Sequence, residues 1–339
     1  MRIKIPMPLS FVLGQQKKWR KDILKVMHPA PALPAPASAR RARPSGGHLS
    51  EVAAFGSNPG HLRMFEFAPP NLQPGAPLVV VLHGCLQNAA DFDRGSGWSA
   101  LARKKGFVLL YPEQRESNNA NLCFNWFRPS AIARDRGELM SIRQMIDHSC
   151  RRHRISPGRV YVQGLSAGGA MACALLATYP DLFAGGNIVA GLPFGAARDA
   201  MTALSVMKSG VSRTGREWGD LVRKVTPEMM SRPAISIWHG TADRVVSVAN
   251  AYSTLRQWLD LYDLAEDDGR ETLLEGRRTK VWHDHAGRPL IEFCLIEGLD
   301  HGLPVARHSA AAKAGGTPFM LVSGVSAPAH MVGTWITAN

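Results

Sequence analysis

Five cysteines in 339 residues (Cys85, Cys123, Cys150, Cys173 and Cys294) are too few for a scaffold built on disulfides. None forms the close pairs of a zinc site, so no metal is expected, and the odd number leaves at least one thiol unpaired within the chain. No apolar run approaches the length of about 18 residues that a membrane-spanning helix needs, which excludes one. Acidic residues are nearly missing from the start of the chain. Residues 1–50 hold ten Lys and Arg against the single acid Asp22, and so carry +9 of the formal net charge of +13. The rest carries only +4, with no nucleic-acid motif and no interleaving of aromatic and basic residues, so no nucleic-acid partner is expected.

The opening stretch, MRIKIPMPLSFVLGQQKKWRK, has early basic residues and a short apolar patch. Pro6 and Pro8 interrupt it and no small-residue cleavage site follows, so it reads as a poor signal peptide and leaves a cytoplasmic location open. Over residues 17–27, Trp19, Ile23, Val26 and Met27 share one helical face among lysines and arginines. That is the pattern of a basic amphipathic helix able to lie on an anionic membrane or an apolar surface, although a solvated, unfolded leader has the same composition. HPAPALPAPASARRARPSGG then reads as an extended linker. The division expected is a leader and linker over 1–50 and one folded domain over 51–339.

From PLVVVLHG onward, apolar strand-like runs alternate with helical patterns: FVLLYPE, then Leu139, Ile142, Met145 and Ile146, then RVYVQG, AGGNIVAG, AISIWHG and LIEFCLIEG. Strands apolar throughout and separated by helices predict an α/β domain, a doubly wound and mostly parallel sheet covered on both faces. Residues 192–232 break the rhythm with a partly helical insertion, placed where it could roof a pocket at the carboxyl ends of the strands.

Gly164-Leu165-Ser166-Ala167-Gly168 follows a predicted strand and opens a predicted helix, which is the setting of a nucleophile elbow. A serine hydroxyl needs a base and an orienting acid downstream. Asp243, in the turn after AISIWHG, is the candidate acid, although it could instead only cap the helix that follows. His301, in the polar loop after LIEFCLIEG, is the candidate base. It is preferred over His239, His283, His285, His308 and His330 because it combines a loop after a strand with the required chain order; Asp300 ranks below Asp243 because it adjoins His301. Oxyanion donors are expected from the Ala167 N–H and from the Cys85 N–H in the loop after VVVLHG. Trp126 and Phe127 could wall an acyl site or simply pack in the core.

LHGCLQ, CFNWF, GLSAGGAMA, WHGTADRVV, GLDHGLP and GVSAPAHMVGTW, in this order over roughly residues 55–337, together resemble the poly(3-hydroxybutyrate) depolymerase-type esterases, a family that includes feruloyl and acetylxylan esterases. The resemblance implies an α/β-hydrolase fold and a serine esterase with Ser166, Asp243 and His301 as triad, Cys85 and Ala167 at the oxyanion hole, and no cofactor. It also implies a disulfide between Cys85 and Cys123. The substrate implied is a poly(3-hydroxybutyrate)-type polyester or its oligomers, with feruloyl or acetylxylan esters as the alternative and residues 17–27 as a contact to a polymer granule or anionic membrane. Family members are often extracellular and begin with a clear signal peptide, and many carry a separate substrate-binding domain; neither is evident here. A non-catalytic binding module that keeps the hydrolase shell is the competing class of function.

Overall fold

The computed structural model describes residues 49–274, 276–306 and 317–337. The leader pattern over 17–27 and nearly all of the linker lie outside the described residues.

The middle of the sheet is built from strands with no polar face to show to water. β3 (Leu78–Leu82, LVVVL), β4 (Val108–Glu113), β5 (Val160–Leu165) and β6 (Gly185–Val189) are buried along their whole length, β7 (Ala234–Gly240) nearly so, and β10 (Pro289–Ile296) over its last four residues. These six run parallel in the order β4-β3-β5-β6-β7-β10. Burial on both faces demands helices on both, and the connecting segments supply them. They are α1 (Ala89–Ser96), α2 (Trp98–Lys105), α3 (Gly137–His153), α4 (Ala167–Thr178), α5 (Ala200–Ser209), α6 (Gly215–Arg223), α7 (Ala249–Tyr262) and the short α8 (Ala327–Met331). Every residue of α4 is buried, as its sequence AGGAMACALLAT, apolar all round, requires. The expected doubly wound, mostly parallel α/β sheet is what forms.

The strand order reverses at β3: β4 lies on one side of it and β5 on the other. Such a switch point leaves a crevice beyond the carboxyl ends of the strands, and here those ends carry Cys85 and Ser166.

Both sheet edges are antiparallel, and apart from a hairpin at His283 and His285 they were not read from the sequence. β1 (Ser50–Val52) and β2 (Arg63–Phe67) extend the sheet beyond β4, while β9 (Arg277–His283) and β8 (Arg270–Leu274) extend it beyond β10. The reason is physical: β8 (RETLL) is exposed at every residue and β1 is largely exposed, so neither carries a burial pattern to find. A separate parallel pair, β11 (Leu303–Ala306) and β12 (Met320–Ser323), follows His301.

The insertion over 192–232 is partly helical as expected, holding α5 and α6, each opened by a capping box (Asp199 with Thr202, Thr214 with Glu217). It docks onto α7 and onto the segment after Asp243. The Ser247 N–H donates to Met207 O at 2.7 Å and Asn250 Nδ2 to Val206 O at 2.9 Å. Its staple is the fully buried Gln257 of α7, whose Oε1 accepts from the Phe194 N–H at 2.8 Å and whose Nε2 donates to Phe194 O and Trp218 O, both at 3.0 Å. Gln257→Leu keeps the volume but leaves the Phe194 N–H and C=O without this partner, at about 1–3 kcal/mol for each unsatisfied group, and removes a second donor from Trp218 O. We expect a loss of about 3 kcal/mol in urea unfolding and faster proteolytic cleavage within 195–214; an unchanged midpoint would refute the staple.

Candidate active site

Ser166 directly follows β5 with φ 58° and ψ −117°, a strained backbone for a side-chain-bearing residue. The two glycines of the pentapeptide make that turn possible. A Cβ on Gly164 would lie 2.0 Å from Gly168 O, and one on Gly168 would lie 2.3 Å from Leu82 O, so neither position admits a side chain. The Ser166 N–H donates to Val189 O on β6 at 2.9 Å, while its Oγ makes no hydrogen bond with another described residue. Ala167 is the first residue of α4, where a helix leaves its N–H groups without internal acceptors.

The loop after β3 runs alongside this elbow. A Cβ built on Gly84 would come within 3.6 Å of the Ser166 Cβ. The loop is pinned from several directions. The Gly84 N–H donates to Gln87 Oε1 at 2.8 Å, Gln87 Nε2 reaches Pro318 O at 2.9 Å, and Leu86, at φ 62°, donates its N–H to Asn121 O at 2.8 Å. His83 bridges it to the end of β4: Nε2 accepts from the Gln114 N–H at 3.1 Å, which leaves the proton on Nδ1 to donate to Gly84 O at 2.7 Å. Complete burial brings the His83 imidazole down to about 4, so it is neutral in this role. The Cys85 N–H has no acceptor among the described residues.

Cys85 and Cys123 are joined by a disulfide, which ties the loop to CFNWF. That second loop is organised by the buried Glu138 of α3, which accepts from Asn125 N (2.8 Å), Asn125 Nδ2 (2.6 Å) and Gln114 Nε2 (2.8 Å). Burial raises its carboxyl above the ordinary range despite these three donors. Trp126 and Phe127 meet edge to face and are almost entirely covered, Trp126 at 6% exposure and Phe127 at 2%. That favours the packing role considered for them over an open acyl wall.

Asp243 follows β7 and His301 follows β10, and these strands are hydrogen-bonded neighbours. A Cβ on Gly240 would lie 2.1 Å from Leu299 O, so the two loops touch backbone to backbone. His301 Nδ1 lies 2.8 Å from Asp243 Oδ2, and the other carboxylate oxygen accepts from the Val245 and Val246 N–H groups at 2.9 and 2.8 Å. Asp243 therefore does cap the following turn, as the alternative reading had it, and binds His301 as well. Burial by itself would raise its carboxyl, but the nearby His301 and the hydrogen bonds from His239 and His301 hold it well below the usual carboxylate range. Its stabilising contribution is thus in place above the unfolded value of about 3.9 and is lost only as pH falls through the lower folded value. With Nδ1 committed to a carboxylate, His301 presents its Nε2 as the free acceptor.

Asp300 is not a partner of the His301 ring. It pairs with the guanidinium of Arg244 and accepts from the Arg244 and His301 N–H groups, binding together the residue after Asp243 and the residue before His301. His283 closes β9 before the hairpin turn that holds His285, and His330 pairs with Glu292 at 2.9 Å, so none of the three joins the site. His308 lies outside the described residues. Two residues that do join it, His83 and His239, were not assigned these roles from the sequence. The signal was present, since each stands in a His-Gly pair closing a core strand.

The family model for Esterase PHB depolymerase matches residues 66–280, which is well over half of the chain. The chain belongs to the PHB depolymerase esterase family. Within this family it is 43% identical over 258 residues to poly(3-hydroxyalkanoate) depolymerase C of Paucimonas lemoignei, covering 76% of this chain and 62% of that enzyme's length. It is also 32% identical to feruloyl esterase B of Thermothelomyces thermophilus, over 62% of this chain and 74% of the relative. Among solved structures, acetyl xylan esterase from Aspergillus awamori superposes with a TM-score of 0.70 at 24% identity, covering 75% of this chain and 94% of that one, which establishes the α/β-hydrolase fold.

In this member of the family the Cys85–Cys123 bond closes a loop spanning 38 residues. Opening it should cost about 4 kcal/mol by the loop-entropy relation. Cys123→Ser is expected to lower the urea midpoint accordingly and to lower kcat for ester turnover by about tenfold with a smaller change in KM, because the Cys85 N–H loses its fixed direction. A destabilised variant with unchanged kcat would separate the bond from the chemistry.

Proposed function

We propose that the protein is a serine carboxylic ester hydrolase acting through an acyl-enzyme. The observation that carries the proposal is the 2.8 Å bond between His301 Nδ1 and the buried Asp243, which follow two parallel strands of the same sheet in which β5 leads into the strained Ser166 turn. His301 Nε2 takes the proton from Ser166 Oγ as that oxygen attacks the ester carbonyl, and Asp243 holds the ring and offsets its charge. The Cys85 and Ala167 N–H groups receive the developing oxyanion. His301 then gives its proton to the departing alcohol, and a water deprotonated by the same nitrogen releases the acid and frees Ser166. No part of this sequence calls on a metal or organic cofactor.

The substrate class we favour is a poly(3-hydroxybutyrate)-type polyester or its oligomers, supported by the 43% identity to the Paucimonas lemoignei depolymerase. The feruloyl esterase relative supports the alternative, an aryl or acetyl ester of a plant polysaccharide. Residues 17–27, basic and amphipathic in sequence, are proposed as the contact to a polymer granule or an anionic membrane.

Two experiments test these readings. Wild type should hydrolyse p-nitrophenyl butyrate and amorphous polyhydroxybutyrate faster than methyl ferulate, and Ser166→Ala should lose at least about a thousandfold in kcat. An inactive wild type would leave the non-catalytic binding module standing, and an active Ser166→Ala would remove the serine mechanism. Deleting residues 1–48 should reduce co-sedimentation with polyhydroxybutyrate granules and anionic liposomes while leaving p-nitrophenyl butyrate turnover within about twofold; unchanged sedimentation would dismiss the leader's role.

A further inference from the structure

Asp243 receives more donors than its bond to His301 and the turn after it require. His239, the penultimate residue of β7, is buried with its Nε2 at 2.8 Å from Val246 O and 3.3 Å from Asp243 Oδ2. A carbonyl oxygen can only accept, so Nε2 carries the proton and the ring is the Nε2–H tautomer. The other ring nitrogen, Nδ1, is buried with no partner among the described residues, and a second proton placed there would be a donor without an acceptor. His239 is therefore a neutral donor whose single N–H is shared between a carbonyl and the same carboxylate oxygen that receives His301.

We propose that His239 is a positioning residue of the triad: its Nε2–H holds Asp243 Oδ2 in line with His301 and draws part of the carboxylate charge away from the His301 ring. It acts through Asp243, and the inference rests on the serine esterase reading above. Two titratable groups meet Asp243 among the described residues, His239 from β7 and His301 from the loop after β10; Arg244 and Asp300, which flank the pair, neutralise one another. Removing the His239 donor leaves the full carboxylate charge facing His301. Negative charge favours the imidazolium, so the general base is lost to protonation at a higher pH than in the wild type. A role confined to packing would lower stability and leave that pH untouched.

The test compares His239→Phe, which removes the donor and keeps ring bulk, with His239→Gln, whose amide nitrogen can reach toward the same oxygen. For p-nitrophenyl butyrate we expect His239→Phe to lose about tenfold in kcat with KM within about twofold, and the acid limb of its kcat/KM profile to move up by about half a pH unit. His239→Gln should recover most of both. An unmoved acid limb, or a Gln variant no better than Phe, overturns the proposal. Nitrogen-15 histidine NMR of the wild type decides the matter even where a variant fails to fold: an exchange-protected Nε2–H on His239 is expected, and an Nδ1–H tautomer would overturn it. Because NMR needs no turnover, an inactive wild type would count against the esterase reading alone.

Discussion

A wholly buried carboxylate, Asp243, sets the constraint that the rest of the site answers to. An isolated charge in such a place costs several kcal/mol in lost hydration and is tolerated only when its lone pairs are taken up. Here they are taken up by the Val245 and Val246 N–H groups on one oxygen and by His239 and His301 on the other. All of these donors but His301 come from β7 and the turn that continues it. The parallel pairing of β7 with β10 brings His301, and the contact of Gly240 with Leu299 O sets how closely its loop approaches. The acid thus organises two neighbouring strand ends around itself, and the Arg244–Asp300 pair closes the same junction from the solvent side.

The loop after β3 poses a different problem, because residues 83–88 hold no acidic or permanently cationic side chain. An oxyanion hole must keep N–H groups unpaired and correctly aimed, a state that a flexible loop would relieve by turning them toward other acceptors. The loop after β3 is denied that freedom. The Gly84 N–H and C=O and the Leu86 N–H are occupied, the neutral His83 links it to the end of β4, and the disulfide joins it to a loop anchored on the buried Glu138. Rigidity on this side and charge neutralisation on the other are both produced at the carboxyl ends of the parallel strands.

How much of this the sequence disclosed follows from where each residue stands. The six parallel strands were legible because burial on both faces makes them largely apolar, and the Ser166 turn and the Asp243–His301 pairing were legible because each residue follows such a strand. β8 and β1 were not, since exposed edge strands carry no apolar period, and their pairing is fixed by neighbours distant in the chain. Asp243 posed a choice in sequence between helix cap and triad acid. The structure shows why the residue type could not resolve it: the two carboxylate oxygens divide the work, Oδ1 capping the turn and Oδ2 binding the histidines.

The two His-Gly pairs mark the limit of residue type most sharply. His83 ends up with a donor facing Nε2 and an acceptor facing Nδ1, and so takes the Nδ1–H form. His239 faces two acceptors with Nε2 and no partner among the described residues with Nδ1, and so takes the Nε2–H form. Identical dipeptides at strand ends therefore become opposite tautomers, one stiffening the loop proposed as the oxyanion hole and the other sharing a negative charge already present. What distinguishes them is the neighbouring strand each ring meets: β4 offers the Gln114 N–H to His83, while the turn after β7 offers His239 only oxygens. The strand order, more than the dipeptide, decides which chemistry each histidine performs.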